Sequence, residues 1–212
     1  NIANLLVSLL NPHTGMSICD PTCGSGGFLV ECARQIQQRK GDVHQVSFYG
    51  QEVRSDVWVF AQINMLLHDI PNFDIRQGNT IREPKLVKDG VLMQFDIVLA
   101  DPPFSIGDWG HETAMVDNYH RFRYGIPPKS AGDFAFIQHI LATLNSTGRA
   151  AMLVPNGVLF RGSSEGEIRE RILKADLVEA VIGLPSNLHY RTAIPTAIII
   201  FNYNKPKERR DR

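Results

Sequence analysis

The chain has 212 residues, a length that fits one α/β domain with a sizeable core. It carries 22 basic and 22 acidic side chains, so its formal net charge is zero, and any contact with nucleic acid must come from a local patch or a partner. The longest apolar runs are strand-sized and the three cysteines lack metal-ligand spacing, so we expect a reduced, cytosolic protein with neither a membrane span nor a bound metal.

Helices and strands alternate along the first half of the chain. A short helix over Ile2–Leu10 is predicted to end at Asn11-Pro12, before a brief strand over Met16–Cys19. The pattern then predicts the helix Phe28–Lys40, the strand Val46–Gly50, the helix Ser55–His68 and the strand Phe73–Gln77. In the third helix we expect the larger apolar side chains to lie in the core, namely Trp58, Ile63, Leu66 and Leu67.

A glycine-rich turn joins the first strand to the second helix, with the sequence Asp20-Pro21-Thr22-Cys23-Gly24-Ser25-Gly26-Gly27. Its glycines permit a tight turn and the close approach of a ligand to the backbone. Such turns hold NAD, flavin and S-adenosylmethionine alike, but Leu29 stands where the dinucleotide fingerprint has its third glycine. Asp20 at the strand end suits a positively charged or hydroxyl-bearing ligand better than a pyrophosphate.

Polar side chains also follow the second and third strands. Glu52 lies where a carboxylate reaches the ribose of a nucleoside bound over the first turn of a doubly wound sheet, or it could cap the helix that starts near Ser55. Asn79 could offer its side-chain amide to an adenine ring, or it could serve the turn Gly78-Asn79-Thr80. Both alternatives stay open at each position.

The next predicted strand, Phe95–Ala100, runs into the tetrapeptide Asp101-Pro102-Pro103-Phe104. Two prolines lack backbone donors and fix φ, so the strand cannot continue. The turn therefore presents a carboxylate, a free carbonyl and an aromatic ring. These groups suit a planar nitrogen heterocycle, because Asp101 and the Pro102 carbonyl accept from an amino group while Phe104 stacks on the ring. An ordinary proline turn is the alternative.

The stretch from Ser105 to Gly132 has no periodicity and interleaves aromatic with basic side chains, the pattern of a functional or mobile loop. Its rings could stack on bases and its cations could contact phosphates, or it could be a lid with scattered charge. The residues in question are Trp109, His111, Tyr119, His120, Arg121, Phe122, Arg123, Tyr124 and Lys129.

The remaining elements continue the alternation, with helices over Asp133–Leu144 and Glu167–Lys174 and strands over Arg149–Val154, Leu177–Ile182 and Thr196–Tyr203. Strands alternating with helices predict a mainly parallel sheet with helices on both faces. Without internal repeats or a low-complexity linker, the chain is expected to form one domain.

Three runs together resemble the N6-adenine DNA methyltransferases, and the modification subunit of type I restriction-modification systems most closely. They are the segment from Asp20 to Leu29, the triplet Gly50-Gln51-Glu52 and the segment from Ala100 to Phe104. Further runs resemble the same subunit, so that the likeness covers nearly the whole chain: Ser130 to His139, Val154 to Phe160, Leu184 to Leu188 and Ile194 to Thr196.

The resemblance implies a Rossmann-like, seven-stranded, S-adenosylmethionine-dependent methyltransferase domain over residues 1–212, acting on adenine N6 in double-stranded DNA. In that family the glycine turn holds the methionine part of the cofactor, the acid after the second strand holds the ribose, and the residue near Asn79 contacts the cofactor adenine. The candidate cofactor-binding residues are Asp20, Thr22, Gly24, Ser25, Gly26, Gly27, Glu52, Asn79 and Thr80, and the candidate catalytic residues are Asp101, Pro102, Pro103 and Phe104.

The implied partners are a specificity subunit that reads DNA sequence and a restriction subunit that acts as motor and nuclease. The chain departs from the commoner family pattern at Asp101, where Asn is usual, and at His189 and Arg191, where Phe and Gly are commoner. The family's N-terminal helical domain, the Thr-Pro cofactor motif expected before Ile2 and the C-terminal part are missing. The chain therefore resembles a fragment of a longer protein, and we expect it to bind the cofactor weakly by itself.

Other activities fit the same residues. An RNA or protein-glutamine methyltransferase could use this pocket for a different planar amine or amide. A catalytically silent cofactor-binding module is a second alternative. A nicotinamide oxidoreductase is a third, but it lacks the third glycine of the fingerprint.

Overall fold

The computed structural model describes residues 2–185 and 194–210 and contains a seven-stranded sheet and a separate two-stranded hairpin. The strands are β1 (Ser17–Asp20), β2 (Ser47–Glu52), β3 (Phe73–Gln77), β4 (Val87–Lys88), β5 (Val91–Leu92), β6 (Phe95–Ala100), β7 (Leu144–Pro155), β8 (Val178–Gly183) and β9 (Thr196–Asn202). The helices are α1 (Ile2–Leu10), α2 (Gly27–Gln38), α3 (Ser55–Leu67), α4 (His111–Ala114), α5 (Asp133–Ala142) and α6 (Ser163–Lys174).

The sheet has the strand order β3-β2-β1-β6-β7-β9-β8. The first five of these strands are parallel to one another, whereas β9 runs antiparallel to both β7 and β8. The chain moves outward from β1 through β2 to β3 and then returns to β6 on the other side of β1. Strand order thus reverses between β1 and β6, and in open α/β sheets such a switch point is where ligands bind.

Side chains alternate between two hydrophobic layers because successive strand residues point to opposite faces. Ile97 and Leu99 pack with α1, α2 and α3, while Val98 and Ala100 pack with α5 and α6 on the other face. The predicted α/β fold, with a mainly parallel seven-stranded sheet and helices on both faces, is confirmed. The β4–β5 hairpin was not predicted, because each strand has only two residues around the turn Asp89-Gly90.

The prediction that the large apolar residues of α3 lie in the core is wrong for Ile63, Leu66 and Leu67, which are exposed by 46, 64 and 75%. The buried positions of this helix are Ala61 and Met65. The reason is the place of α3 beside the edge strand β3 and its neighbour β2, where the sheet covers only one narrow side of the helix. Trp58 is half-buried there and donates its indole N–H to the Ile75 carbonyl at 2.7 Å.

The stretch from Ser105 to Gly132 is a docked segment that includes α4. Trp109 is buried and donates its indole N–H to the Pro128 carbonyl at 3.0 Å. Arg121 is also buried, pairs with Asp117 at 2.7 Å and donates to the carbonyls of Thr80 and Ile81. Of the two alternatives for this loop, stacking on bases and contact with phosphates therefore do not fit Trp109 and Arg121, which are buried. Their burial anchors the segment to the rest of the domain.

Some sequence predictions fall on residues outside the described ranges. They concern Ser186, Asn187, Leu188, His189 and Arg191, where the resemblance and its departures were noted. Within the described ranges, no helix combines the length and the apolar character needed to cross a membrane.

Candidate active site

The candidate site lies at the carboxyl ends of β1 and β6, which are adjacent parallel strands. Asp20 ends β1, and Asp101 directly follows β6, so both carboxylates reach the same edge of the sheet. A cavity of about 690 Å³ opens there. It is lined by ten of the thirteen candidate residues, namely Asp20, Thr22, Gly24, Ser25, Gly27, Glu52, Asn79, Thr80, Asp101 and Pro103.

The glycine turn forms one wall of this cavity and leads into the amino terminus of α2. Gly24 and Gly26 have φ values of 54° and 83°, a left-handed conformation that costs glycine little. At Gly27, no described atom lies within 4 Å of the place that a Cβ would occupy. A ligand can therefore approach the backbone closely at this helix end, where the helix dipole favours an anionic group. Gly26 shapes the turn without lining the cavity.

Asp20 is almost fully buried beneath the glycine turn. Its Oδ1 accepts hydrogen bonds from the Thr22 backbone N–H at 2.9 Å and the Thr22 hydroxyl at 3.4 Å. Burial raises the pKa of Asp20 to about 8, and the carboxylates of Asp101 and Glu52 contribute in the same direction, against the hydrogen bonds from Thr22. A cationic ligand in the cavity would stabilise the ionised form of this carboxyl group.

Glu52 ends β2, and each of its carboxylate oxygens accepts a backbone hydrogen bond. Its Oε1 accepts from the Arg54 backbone N–H at 2.8 Å, just before α3 begins, which is a local turn contact. Its Oε2 accepts from the Gly24 N–H at 3.0 Å across the cavity wall, so the carboxylate also braces the glycine turn. Each carboxylate oxygen has a second lone pair for a hydroxyl donor.

Asn79 and Thr80 both serve the turn that follows β3. Asn79 Oδ1 accepts from the backbone N–H groups of Ile81 and Arg82, each at 2.9 Å. The side-chain amide nitrogen is then the group of Asn79 that a purine in the cavity could contact. The Thr80 hydroxyl donates to the Pro21 carbonyl and ties this turn to the glycine turn. Two walls of the cavity are thereby fixed to each other.

The tetrapeptide after β6 forms the opposite wall. Asp101 is half-buried and Pro103 is exposed, and both line the cavity, whereas Pro102 is buried behind them. Phe104 does not line this cavity; it is half-buried against the apolar layer that contains α1, α2 and α3. Within the tetrapeptide, Asp101 and Pro103 thus line the cavity, whereas Pro102 and Phe104 do not.

The cavity lining also includes residues that were not candidate site residues, among them Ile106, Trp109 and Phe136. Ile106 and Trp109 belong to the docked segment after the tetrapeptide, and Phe136 lies on α5. The only sequence signal for Phe136 was the run from Ser130 to His139, which carried the resemblance. Burial of Trp109 beside the cavity depends on the path of the loop, which periodicity does not reveal.

Comparison with known proteins supports a single family. The N-6 DNA Methylase family model matches residues 1–212. The HindI type I restriction enzyme methylase subunit of Haemophilus influenzae is 35% identical over 210 residues, which cover 98% of this chain and 46% of that protein. The MjaVII methylase subunit of Methanocaldococcus jannaschii is 33% identical over 220 residues, covering 100% of this chain and 37% of that protein.

Solved structures agree with the sequence relatives. A type I restriction-modification system methyltransferase subunit from Streptococcus thermophilus superposes with a TM-score of 0.86 at 33% identity, covering 96% of this chain and 43% of that chain. The chain therefore spans less than half the length of these relatives. Its sheet has the fold of the class I S-adenosylmethionine-dependent methyltransferases.

Proposed function

The chain belongs to the N-6 DNA methylase family, and from this membership we propose that residues 1–212 are the catalytic domain of a type I restriction-modification modification subunit. The subunit transfers a methyl group from S-adenosylmethionine to adenine N6 in double-stranded DNA. The observation that carries the proposal is that the glycine turn after β1 and the tetrapeptide after β6 open on one cavity of about 690 Å³.

The residues around the cavity fit S-adenosylmethionine. Gly24 and Gly27 leave space beside the amino terminus of α2 for the methionine carboxylate, and Asp20 lies below for a positively charged group. Glu52 would accept from the ribose hydroxyls, and the Asn79 side-chain amide would donate to the adenine ring. When bound, the cofactor supplies an electrophilic methyl group. The remaining candidates Thr22, Ser25, Gly26 and Thr80 shape the two turns that hold it.

The tetrapeptide would act on the substrate base. Adenine N6 is a poor nucleophile because its lone pair is delocalised into the ring, and it is hidden within the duplex, so the base must be flipped out at a cost of a few kcal/mol. Phe104 would stack on the flipped base. Asp101 and the Pro102 carbonyl would accept hydrogen bonds from the two N6–H groups. These bonds would turn the nitrogen lone pair toward the methyl group. Pro103 keeps the turn rigid, and proximity then supplies much of the rate.

The proposed setting is a cytoplasmic complex. A specificity subunit would supply the contacts that read the DNA sequence, and a restriction subunit with motor and nuclease activity would join for cleavage. The relatives are named as methylase or methyltransferase subunits, which supports an enzyme that works with partners. The neutral net charge of this chain supports the same division of labour, because its overall field does not attract DNA.

The test is methyl transfer from labelled cofactor to DNA, RNA and protein offered in parallel, with the full-length subunit and its specificity subunit. We expect label on adenine N6 of double-stranded DNA alone. Label on RNA or on a protein glutamine would support those alternative substrates. Cofactor binding without transfer to any of the three would support a silent binding module, and hydride transfer with a nicotinamide would replace the proposal altogether.

A further inference from the structure

A strained residue follows the tetrapeptide directly. Ser105 has a φ of 50°, a left-handed conformation that a side chain makes costly, so its surroundings must hold it there. Its backbone N–H donates to Asp133 Oδ1 at 2.8 Å, and its hydroxyl donates to Asp133 Oδ2 at 3.3 Å. Asp133 is the first residue of α5 and is almost fully buried. One carboxylate therefore fixes both the direction and the position of the chain as it leaves Phe104.

Arg161 completes this arrangement from a third segment, the loop between β7 and α6. Its Nη1 donates to Asp133 Oδ2 at 2.9 Å and to Glu165 Oε1 at 3.3 Å, and its Nη2 donates to the Ser105 hydroxyl at 3.0 Å. A Cβ at Gly157 would lie 2.5 Å from Arg161 Nε, so the glycine allows the guanidinium to lie against the backbone. The charge of Asp133 is paired as a buried carboxylate requires.

A second tie runs in the opposite direction between the same two segments. The Gly132 N–H donates to the Ile106 carbonyl at 2.9 Å. A Cβ at Gly132 would lie 2.6 Å from Cβ of Trp109, so the glycine allows the Trp109 side chain to pack directly against the backbone of the other segment. The amino end of α5 thus contacts the segment that follows the tetrapeptide at Ser105, Ile106 and Trp109.

We propose that Asp133 and Arg161 are positioning residues that hold the tetrapeptide in its working conformation through Ser105. This inference rests on the proposed function, because the turn being held carries Asp101 and Phe104. Three segments that are far apart in the sequence meet at one ion pair whose carboxylate is buried: Ser105 directly after the tetrapeptide, Asp133, and Arg161 shortly after Gly157.

An ion pair can also be merely structural, and the chain offers a matched control. Arg149 pairs with Glu179 at 2.8 Å, with an arginine exposed by 29% and a well-buried carboxylate, compared with an arginine exposed by 32% in the Asp133 pair. Arg149 lies opposite Ile97 near the start of β6, so this control pair is at the other end of the sheet from the tetrapeptide. Glu179 also pairs with Arg209 at 3.1 Å, so removing Glu179 tests the loss of ion pairs without disturbing the turn.

The experiment compares Asp133→Ala, Asp133→Asn and Glu179→Ala in the full-length subunit within its complex. Hydrogen exchange is measured over residues 104–110, and single-turnover methylation is measured with saturating cofactor and DNA. For Asp133→Ala we expect at least ~10-fold faster exchange at the Ser105 amide and a rate loss of roughly 100-fold, since misplacement of about 1 Å costs that much. Dissociation constants for cofactor and DNA should change less than about threefold, which marks a kcat effect.

Asp133→Asn keeps an oxygen that can accept from the Ser105 N–H, so we expect its rate to lie between those of wild type and Asp133→Ala. This variant also keeps the proposal testable if Asp133→Ala fails to fold. Glu179→Ala should leave both exchange at Ser105 and the rate within about twofold of wild type. Equal exchange at Ser105 in wild type and both Asp133 variants would overturn the proposal, as would equal rate losses in Asp133→Ala and Glu179→Ala. If wild type transfers no methyl group, the proposed function fails, and exchange alone decides whether Asp133 holds the turn.

Discussion

At the scale of single residues, the carboxyl group of Asp101 has two possible roles. As an acceptor that orients adenine N6, it can be replaced by Asn, whose side-chain oxygen occupies the same place. As a general base it cannot be replaced by Asn, because a side-chain amide does not take up a proton from the substrate. We favour the acceptor, since the N6 proton becomes acidic only after methyl transfer has begun and can then leave to water.

The prediction is that Asp101→Asn keeps substantial activity in the full-length subunit, whereas Asp101→Ala loses about 3 kcal/mol or more of transition-state stabilisation. Single-turnover methylation rates of the two variants measure this difference. Cofactor affinity should survive in both variants, because Glu52 and the glycine turn lie on the opposite wall of the cavity. Equal and near-complete loss of rate in both variants would identify Asp101 as a base instead.

Asp20 makes stability depend on pH. Its pKa is about 8 in the folded chain, against 3.8 for an unperturbed aspartate side chain. Below about pH 4 both states hold the proton, and between about pH 4 and 8 only the folded state does, so the free energy of unfolding falls as pH rises through this window. The Asp20→Asn variant has no titrating group at this position, so it should not show this loss. Between pH 5 and pH 9, its free energy of unfolding should rise by roughly 2–5 kcal/mol relative to that of wild type.

Urea denaturation at pH 5, 7 and 9 measures this gain, and Asp96→Asn is its control. Burial opposes a low pKa at Asp96, but hydrogen bonds from Ser17 and Asn145 outweigh burial and hold the pKa below its usual value. Asp96 therefore contributes stability that is lost only as the solution becomes more acidic than about pH 4. A difference between Asp20→Asn and wild type that stays constant from pH 5 to pH 9 would contradict the assignment.

At the scale of elements, α3 shows how little of an apolar helix the sheet edge covers. Met65 is fully buried, whereas Leu67, two residues later, is largely exposed. We expect Met65→Ala to lower the free energy of unfolding by about 2–5 kcal/mol, because it leaves a cavity in a packed layer. Leu67→Ala should change it by less than about 0.5 kcal/mol.

Chemical denaturation of the two variants, compared with wild type under identical conditions, provides this comparison within one helix. Similar losses in both would mean that Leu67 is covered in solution. The comparison also separates hydrophobic composition from burial, since the two side chains have similar volume and helix propensity.

At the scale of the whole molecule, charge limits what the chain can do with DNA. The 22 basic side chains are matched by 22 acidic ones, and Arg121, one of the loop cations that could contact phosphates, is buried in an ion pair with Asp117. Few phosphate contacts mean weak binding. We therefore expect the 212-residue chain alone to show no sequence-specific DNA binding at physiological salt. A gel-shift assay that resolves one short duplex from its scrambled counterpart would contradict this.

Much of this molecule follows from local sequence. Apolar period and the placement of Gly and Pro determine α1, the seven strands of the sheet and both turns at the cavity, because each signal acts within a few residues. The turn residues also explain why Asp20 and Asp101 come at strand ends. Parallel strands then bring their carboxyl ends to one edge, so the meeting of these two residues was predictable from the alternation of helices and strands.

Tertiary structure decided what local signals leave open. Burial of a side chain depends on which elements cover it, so α3 displays Leu66 and Leu67 while the loop hides Trp109 and Arg121. The contact of Asp133 with Ser105 joins residues 28 positions apart, and the Arg161 contact with Asp133 spans another 28. Such pairings are set by the path of the chain between packed layers. The sequence by itself therefore determined the elements and the candidate chemistry, and folding determined which side chains hold that chemistry in place.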